Sequence, residues 1–114
     1  MIHEMKLFEE TFEKIKSGKK DIEVRLFDEK RRTINLGDEI IFYKLPDKKE
    51  SISVVVTGFS IFSNFTELFS NFNNNRFGHN GITREQQLEG IRKIYSQEDE
   101  NKNGVVGIHI KLLS

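Results

Sequence analysis

The chain has no cysteine, no tryptophan and a single proline among its 114 residues. Without thiols there can be no disulfide and no thiolate metal site, which fits a reducing compartment, so a cytoplasmic location is expected. Net charge is missing too, because 18 basic side chains balance 18 acidic ones. Tight non-specific binding to duplex DNA therefore lacks global electrostatic support, and only a local basic patch could supply it. No stretch approaches the roughly 20 apolar residues that span a bilayer. Residues 1–10 mix acids with their apolar residues, unlike a secretory signal, so no membrane partner is expected. The three histidines, His3, His79 and His109, have no metal-ligand spacing between them, so neither a metal nor a cofactor is expected. Phosphate-cradling glycine loops, nucleophile elbows and dinucleotide fingerprints are all lacking.

What is present is 36% hydrophobic and 32% charged residues, with ten phenylalanines. That balance predicts one folded domain over residues 1–114, large enough to bury a single core. Residues 2–7 read as a short strand or extended lead-in. Phe8, Phe12 and Ile15 recur at helical spacing and predict a helix over 8–17, with Gly18 at its left-handed end. A basic turn or loop over Asp28–Asn35 leads through Gly37-Asp38 to a strand over Glu39–Tyr43. Ser51–Phe62 is the longest strand candidate, with Ile52, Val54 and Val56 inward and Gly58 marking a bulge or a barrel bend. Asn64 with Glu67 predicts a capped short helix carrying Phe65, Leu68 and Phe69. Thr83 with Gln86 is a capping-box pattern, opening a helix to about Tyr95. Ser96–Asn103 reads as a polar loop, and Val105–Leu113 as a closing strand. Most intervals between strands are too short for helical crossovers, which argues for an α+β fold with a mixed, curled sheet.

The stretch from Gly18 to Arg25 has a charge pattern of its own. Ile22, Val24 and Leu26 fall on one face of a strand, and Asp21, Glu23 and Arg25 on the other, with Lys19 and Lys20 just upstream. Ionised groups of both signs packed this closely pair with and orient one another, which a polar ligand can exploit. The plainer reading is a solvated strand face crossed by surface ion pairs, each contributing about 0–1 kcal/mol. Asp99-x-Asn101-x-Asn103-Gly104 looks like half a calcium loop, but Ile110 stands where a bidentate glutamate is needed, which leaves a tight turn feeding the last strand. Arg76 and His79 lie in an irregular, asparagine-rich segment where a ligand role is conceivable. His109 reads as the solvent side of the last strand. Among the aromatics, Tyr43, Phe72 and Phe77 stand outside the regular core periods.

Gly18-x-Lys20-x-x-Glu23-x-Arg25, followed by a basic turn and then Gly37-Asp38-x-Ile40-x-Phe42, resembles the ASCH domain of the PUA-like group. The tail, Ile94-Tyr95 and then Gly104-Val105-Val106-Gly107-Ile108, is similar to the end of that domain, so the resemblance covers nearly the whole chain. It implies a small mixed β-barrel of about five or six strands with two to four flanking helices. It also implies a cleft beside the motif strand and a partner that is RNA or a nucleoside- or nucleotide-like ligand. Lys19, Lys20, Glu23, Arg25, Arg76 and His79 are then the expected ligand-binding residues.

A branch of ASCH-like proteins hydrolyses N4-acetylcytidine with a lysine, a threonine nucleophile and a glutamate. Lys20 matches the lysine, but Glu23 occupies the threonine position, and the partner glutamate falls nearest Asn80. The resemblance thus implies binding first. Hydrolysis of a modified nucleoside or of RNA, with Lys20 and Glu23 as the catalytic pair, is the alternative.

Overall fold

In the computed structural model, which describes residues 1–113, five strands form one mixed sheet in the order β1-β3-β4-β5-β2. The strands are β1 (Ile2–Leu7), β2 (Ile22–Leu26), β3 (Glu39–Lys44), β4 (Ser51–Phe62) and β5 (Val105–Leu112). β1 runs parallel to β3, and every other pairing is antiparallel. The twelve-residue β4 has a register shift between Val56 and Gly58, where the glycine was expected to mark a bulge. An extra residue there increases twist, and the sheet curls into a half-barrel.

Helices α1 (Glu9–Lys16), α2 (Phe65–Ser70), α3 (Arg84–Arg92) and α4 (Gln97–Asn103) pack around it, with 3-10 turns at Arg31–Thr33 and Asn74–Phe77. The apolar residues divide into two cores. Met5, Leu7, Phe12, Ile40, Phe42 and Val56 belong to the first, inside the curl. Ile22, Val24 and Leu26 of β2 pack in the second, against Phe65, Leu68, Phe69 and Phe77. Period-two alternation then turns Glu23 and Arg25 the other way, toward β1.

Three expectations need correction. Residues 97–103 form a helix, not a loop or a turn. Ser96 accepts from the Asp99 amide, and Glu98, Asp99 and Glu100 occupy the positive first turn, so capping and dipole terms outweigh the polar composition. Helix α3 closes at Arg92, with Lys93 as its cap, three residues short of Tyr95. Phe8 does not join Phe12 and Ile15 in the core. It caps α1 in extended conformation with its ring exposed.

Candidate functional site

Helix α1 ends in a left-handed Gly18 (φ +80°), and the amides of both Lys19 and Lys20 return to the Lys14 carbonyl. This closure folds Lys20 back under the helix. Its side chain is only 8% exposed, and its ammonium lies 3.2 Å from Glu23 Oε1. Arg25 grips the other carboxylate oxygen with a fork, Nε at 3.0 Å and Nη2 at 2.9 Å from Oε2. The Val24 amide also donates to Oε1, at 3.3 Å. Burial opposes ionisation of Glu23, but Lys20 and Arg25 overcome it and hold the carboxyl below its ordinary range. The pairs are therefore buried, and they are not the solvated surface bridges of the plainer sequence reading.

Two cations against one carboxylate leave this cluster one unit positive. Both Glu23 oxygens are engaged, so the groups left to meet a ligand are donors: the remaining Lys20 and Arg25 protons. The cluster lies at the base of a cleft of about 410 Å³. One wall is α1, with the exposed Phe8 at the rim and the Thr11 hydroxyl behind it. The facing wall carries Phe69, Phe77 and His79, then Gln87, Ile91 and Tyr95. The Tyr95 phenol faces the Arg25 guanidinium from this wall, and burial raises its pKa.

His79 is oriented by a relay. Arg84 Nε donates to Gln87 Oε1 at 2.9 Å, which fixes that amide so that its nitrogen faces His79 Nδ1 at 3.1 Å. An amide nitrogen only donates, so Nδ1 accepts and the ring proton sits on Nε2. Burial, then the Lys20 and Lys14 charges, push the His79 pKa down to about 4. At neutral pH the ring is an uncharged Nε2–H donor on the cleft wall. Gly78, left-handed at φ +75°, leaves room beside Lys14 and Lys20, where a Cβ would stand 2.8 Å from Lys14 Cδ and 3.3 Å from Lys20 Cβ.

The chain matches the ASCH domain over residues 5–114. It belongs to the ASCH domain family. The crystal structure of a hypothetical protein, PH0355, is 40% identical and superposes with a TM-score of 0.87, covering 99% of this chain and 100% of its own. The solution NMR structure of protein PF0455 from Pyrococcus furiosus is 37% identical with a TM-score of 0.80, covering 100% of this chain and 99% of that one. The crystal structure of ASCH from Zymomonas mobilis shares the fold at 18% identity and a TM-score of 0.64, covering 96% of this chain and 66% of that one. No curated protein matches this ASCH chain.

Of the six expected ligand-binding residues, the fold gathers Lys20, Glu23, Arg25 and His79 around the cleft and leaves Lys19 and Arg76 off its walls. Lys19 is exposed beyond the end of α1. Arg76 pairs with Asp21 at 3.0 Å, lies over the Phe72 ring and donates to His109 Nδ1 at 3.3 Å. Asp21 thereby leaves the charged face that sequence alternation gave it, because β2 begins one residue later.

His109 is half-buried, with Nε2 2.7 Å from Ser60 Oγ. That spacing is one a nucleophile and its base would use. Arg76 donates to Nδ1, however, so the proton is on Nε2 and this His109 tautomer cannot accept one from Ser60. Sequence reasoning missed Phe8, Thr11, Gln87 and Tyr95 as cleft residues. Tyr95 stands at the end of the expected helix, and only its phenol hints at a polar contact. Among the described residues no cluster of His, Asp and Glu could hold a metal ion, and no helix is long and apolar enough to cross a membrane.

Proposed function

We propose that this ASCH domain binds single-stranded RNA, or a nucleotide-like piece of it, through an acceptor-rich group seated on the Lys20–Glu23–Arg25 cluster. One observation carries the reading. A buried carboxylate with both oxygens engaged organises two cations into a net positive, donor-only surface at the base of a concave cleft. Phosphate oxygens, or the carbonyls of a base such as uracil, are the natural complement. His79 Nε2–H adds a neutral donor from the side. The exposed Phe8 ring at the rim offers a stacking platform, a contact that contributes about 1–3 kcal/mol per base. ASCH domains are often linked to RNA binding, which agrees with this reading.

Glu23 in this scheme is an organiser of Lys20 and Arg25, not a contact to a base amino group. The same engagement makes it a poor general base for the hydrolytic alternative, since its lone pairs are taken and its pKa is lowered. The test is an NMR titration with uridine 5′-monophosphate and N4-acetylcytidine. Amide shifts confined to residues 20–25, 79 and 95, abolished by Lys20→Ala, are expected, with no deacetylated product. Unmoved resonances in that set defeat the binding reading. Product that disappears with Lys20→Ala favours the hydrolase.

A further inference from the structure

A second, more open hollow of about 570 Å³ adjoins the cleft, lined by Glu4, Met5, Lys6, Lys30, Tyr43 and Lys48. Lys6 belongs to both. Its carbonyl accepts from Arg25 Nη2 at 3.2 Å beside the first, and across the β1–β3 ladder it stands opposite Tyr43 in the second. Lys14, Lys16, Lys20 and Lys44 each have a carboxylate partner. Among the described residues Lys6, Lys30 and Lys48 have none within 4.0 Å, and Glu4 already accepts from the Tyr43 hydroxyl at 3.1 Å. Three lysines against one glutamate leave the hollow two units positive, on a chain whose overall charge is zero.

Lys48 holds a left-handed backbone (φ +59°) that costs a side-chain-bearing residue energy and a glycine none. Its side chain nonetheless stands in this hollow. A cation excess over a neutral protein, continuous with a donor-lined cleft, matches a repeating polyanion better than a single nucleotide.

We infer that the ligand is an oligoribonucleotide of several units, one nucleotide seated in the Arg25 cleft and its chain continuing over Lys6 so that the neighbouring phosphates meet Lys30 and Lys48. This rests on the cleft reading above and adds a second subsite. The phosphates of the extended chain exchange their counterions for these ammonium groups, so the extra affinity falls with salt. Tyr43 also lines the hollow and supplies an aromatic ring on which a second base can lie.

The experiment compares uridine monophosphate with tetrauridylate on the full chain, by calorimetry at several salt concentrations, in wild type and in the double variant Lys30→Ala/Lys48→Ala. Both lysines are exposed and unpaired, so the variant should keep the wild-type fold. Tetrauridylate should bind wild type at least about tenfold tighter than the monophosphate. The double variant should remove that gain and lower the salt slope by roughly 1.4, two contacts at about 0.7 each. Its monophosphate affinity should not change. If tetrauridylate binds no tighter than the monophosphate, or the variant leaves its slope unchanged, the second subsite is overturned while the cleft reading stands. If neither ligand binds wild type, both are overturned. Equal binding by a tetraglutamate of matched charge also overturns it, in favour of an acidic peptide.

Discussion

The Arg25 guanidinium donates to the Lys6 carbonyl at 3.2 Å, joining the two strands that stand at opposite ends of the sheet order. A curled sheet that stops short of closure has two edges with unpaired backbone groups. Here one side chain bridges them, and the same side chain holds Glu23. Closure of the half-barrel and organisation of the cleft therefore share one residue.

Arg25→Lys should cost far more than a conservative exchange suggests. Lysine has no fork, so it cannot hold Glu23 Oε2 through two nitrogens and still reach Lys6. A loss of about 2 kcal/mol is expected: the ammonium keeps a bond to Glu23, and the charge-assisted bond to the Lys6 carbonyl that is lost contributes roughly 1.5–3 kcal/mol. Hydrogen exchange should quicken along β1. Urea unfolding within 0.5 kcal/mol of wild type would show that the seam does not hold the edges together.

Glu23→Gln should destabilise more than Lys20→Met, although both remove one charge. The glutamine leaves two poorly solvated cations facing each other, with Lys20 8% and Arg25 14% exposed. Loss of Lys20 leaves the carboxylate still forked by Arg25. Breaking a buried pair so that charge is uncompensated costs about 3–5 kcal/mol, and Glu23→Gln should approach that range. Denaturation midpoints in the reverse order would refute this account of the cluster.

Much of this was legible in the sequence because it follows from local chemistry. The alternation through Ile22–Leu26, the glycine at 18, the capping box at Thr83 and the bulge at Gly58 are each set by a few neighbouring residues. What escaped depends on distant partners. Glu100 is buried because its carboxylate caps the Phe65 amide, 35 positions away, at 2.7 Å, and it also pairs with Arg92 of the preceding helix at 2.9 Å. Phe8 obeys the helical period, yet the chain entering from β1 turns it out of the core. Arg76 was drawn off by Asp21, 55 positions away, which no spacing rule foretells.

Gly78→Ala and Gly81→Ala make a matched pair. Both glycines sit at φ +75°, so each alanine meets the same left-handed strain of about 1–2 kcal/mol. At Gly81 the new methyl finds nothing within 4 Å, whereas at Gly78 it meets Lys14 and Lys20. Lys14 can swing away at its Cδ, but the buried Lys20 is met at Cβ and must shift with its backbone. Gly78→Ala should thus lose more stability than Gly81→Ala by the cost of that shift, and only Gly78→Ala should weaken uridine monophosphate. Displacing the cluster by 1 kcal/mol of strain corresponds to about fivefold in Kd. Equal affinities in the two variants would break the link between this loop and the cleft.

His79 should titrate near pH 4 and remain an Nε2–H donor throughout the neutral range. Its depressed value has a defined sign for stability. The unfolded chain takes up the His79 proton at about pH 6.5, whereas the folded chain refuses it until about pH 4. This group's contribution is complete above 6.5, and it erodes as pH falls through that window. His79→Phe should remove that part of the acid sensitivity and leave the parts due to His109 and Glu23, so the difference between the two pH profiles isolates the ring. Gln87→Met should act differently. It deletes the donor to Nδ1 without emptying the space, so either tautomer becomes available, while the burial and the Lys20 and Lys14 charges that depress the midpoint remain. The midpoint should then stay well below 6.5. Nitrogen-15 shifts of the imidazole report tautomer and midpoint together. An Nδ1–H ring in wild type at pH 7 would mean that the Arg84–Gln87 relay does not orient His79. A wild-type midpoint near 6.5 would mean that burial and the two lysines do not hold the ring neutral, and in either case the cleft would lose its neutral donor.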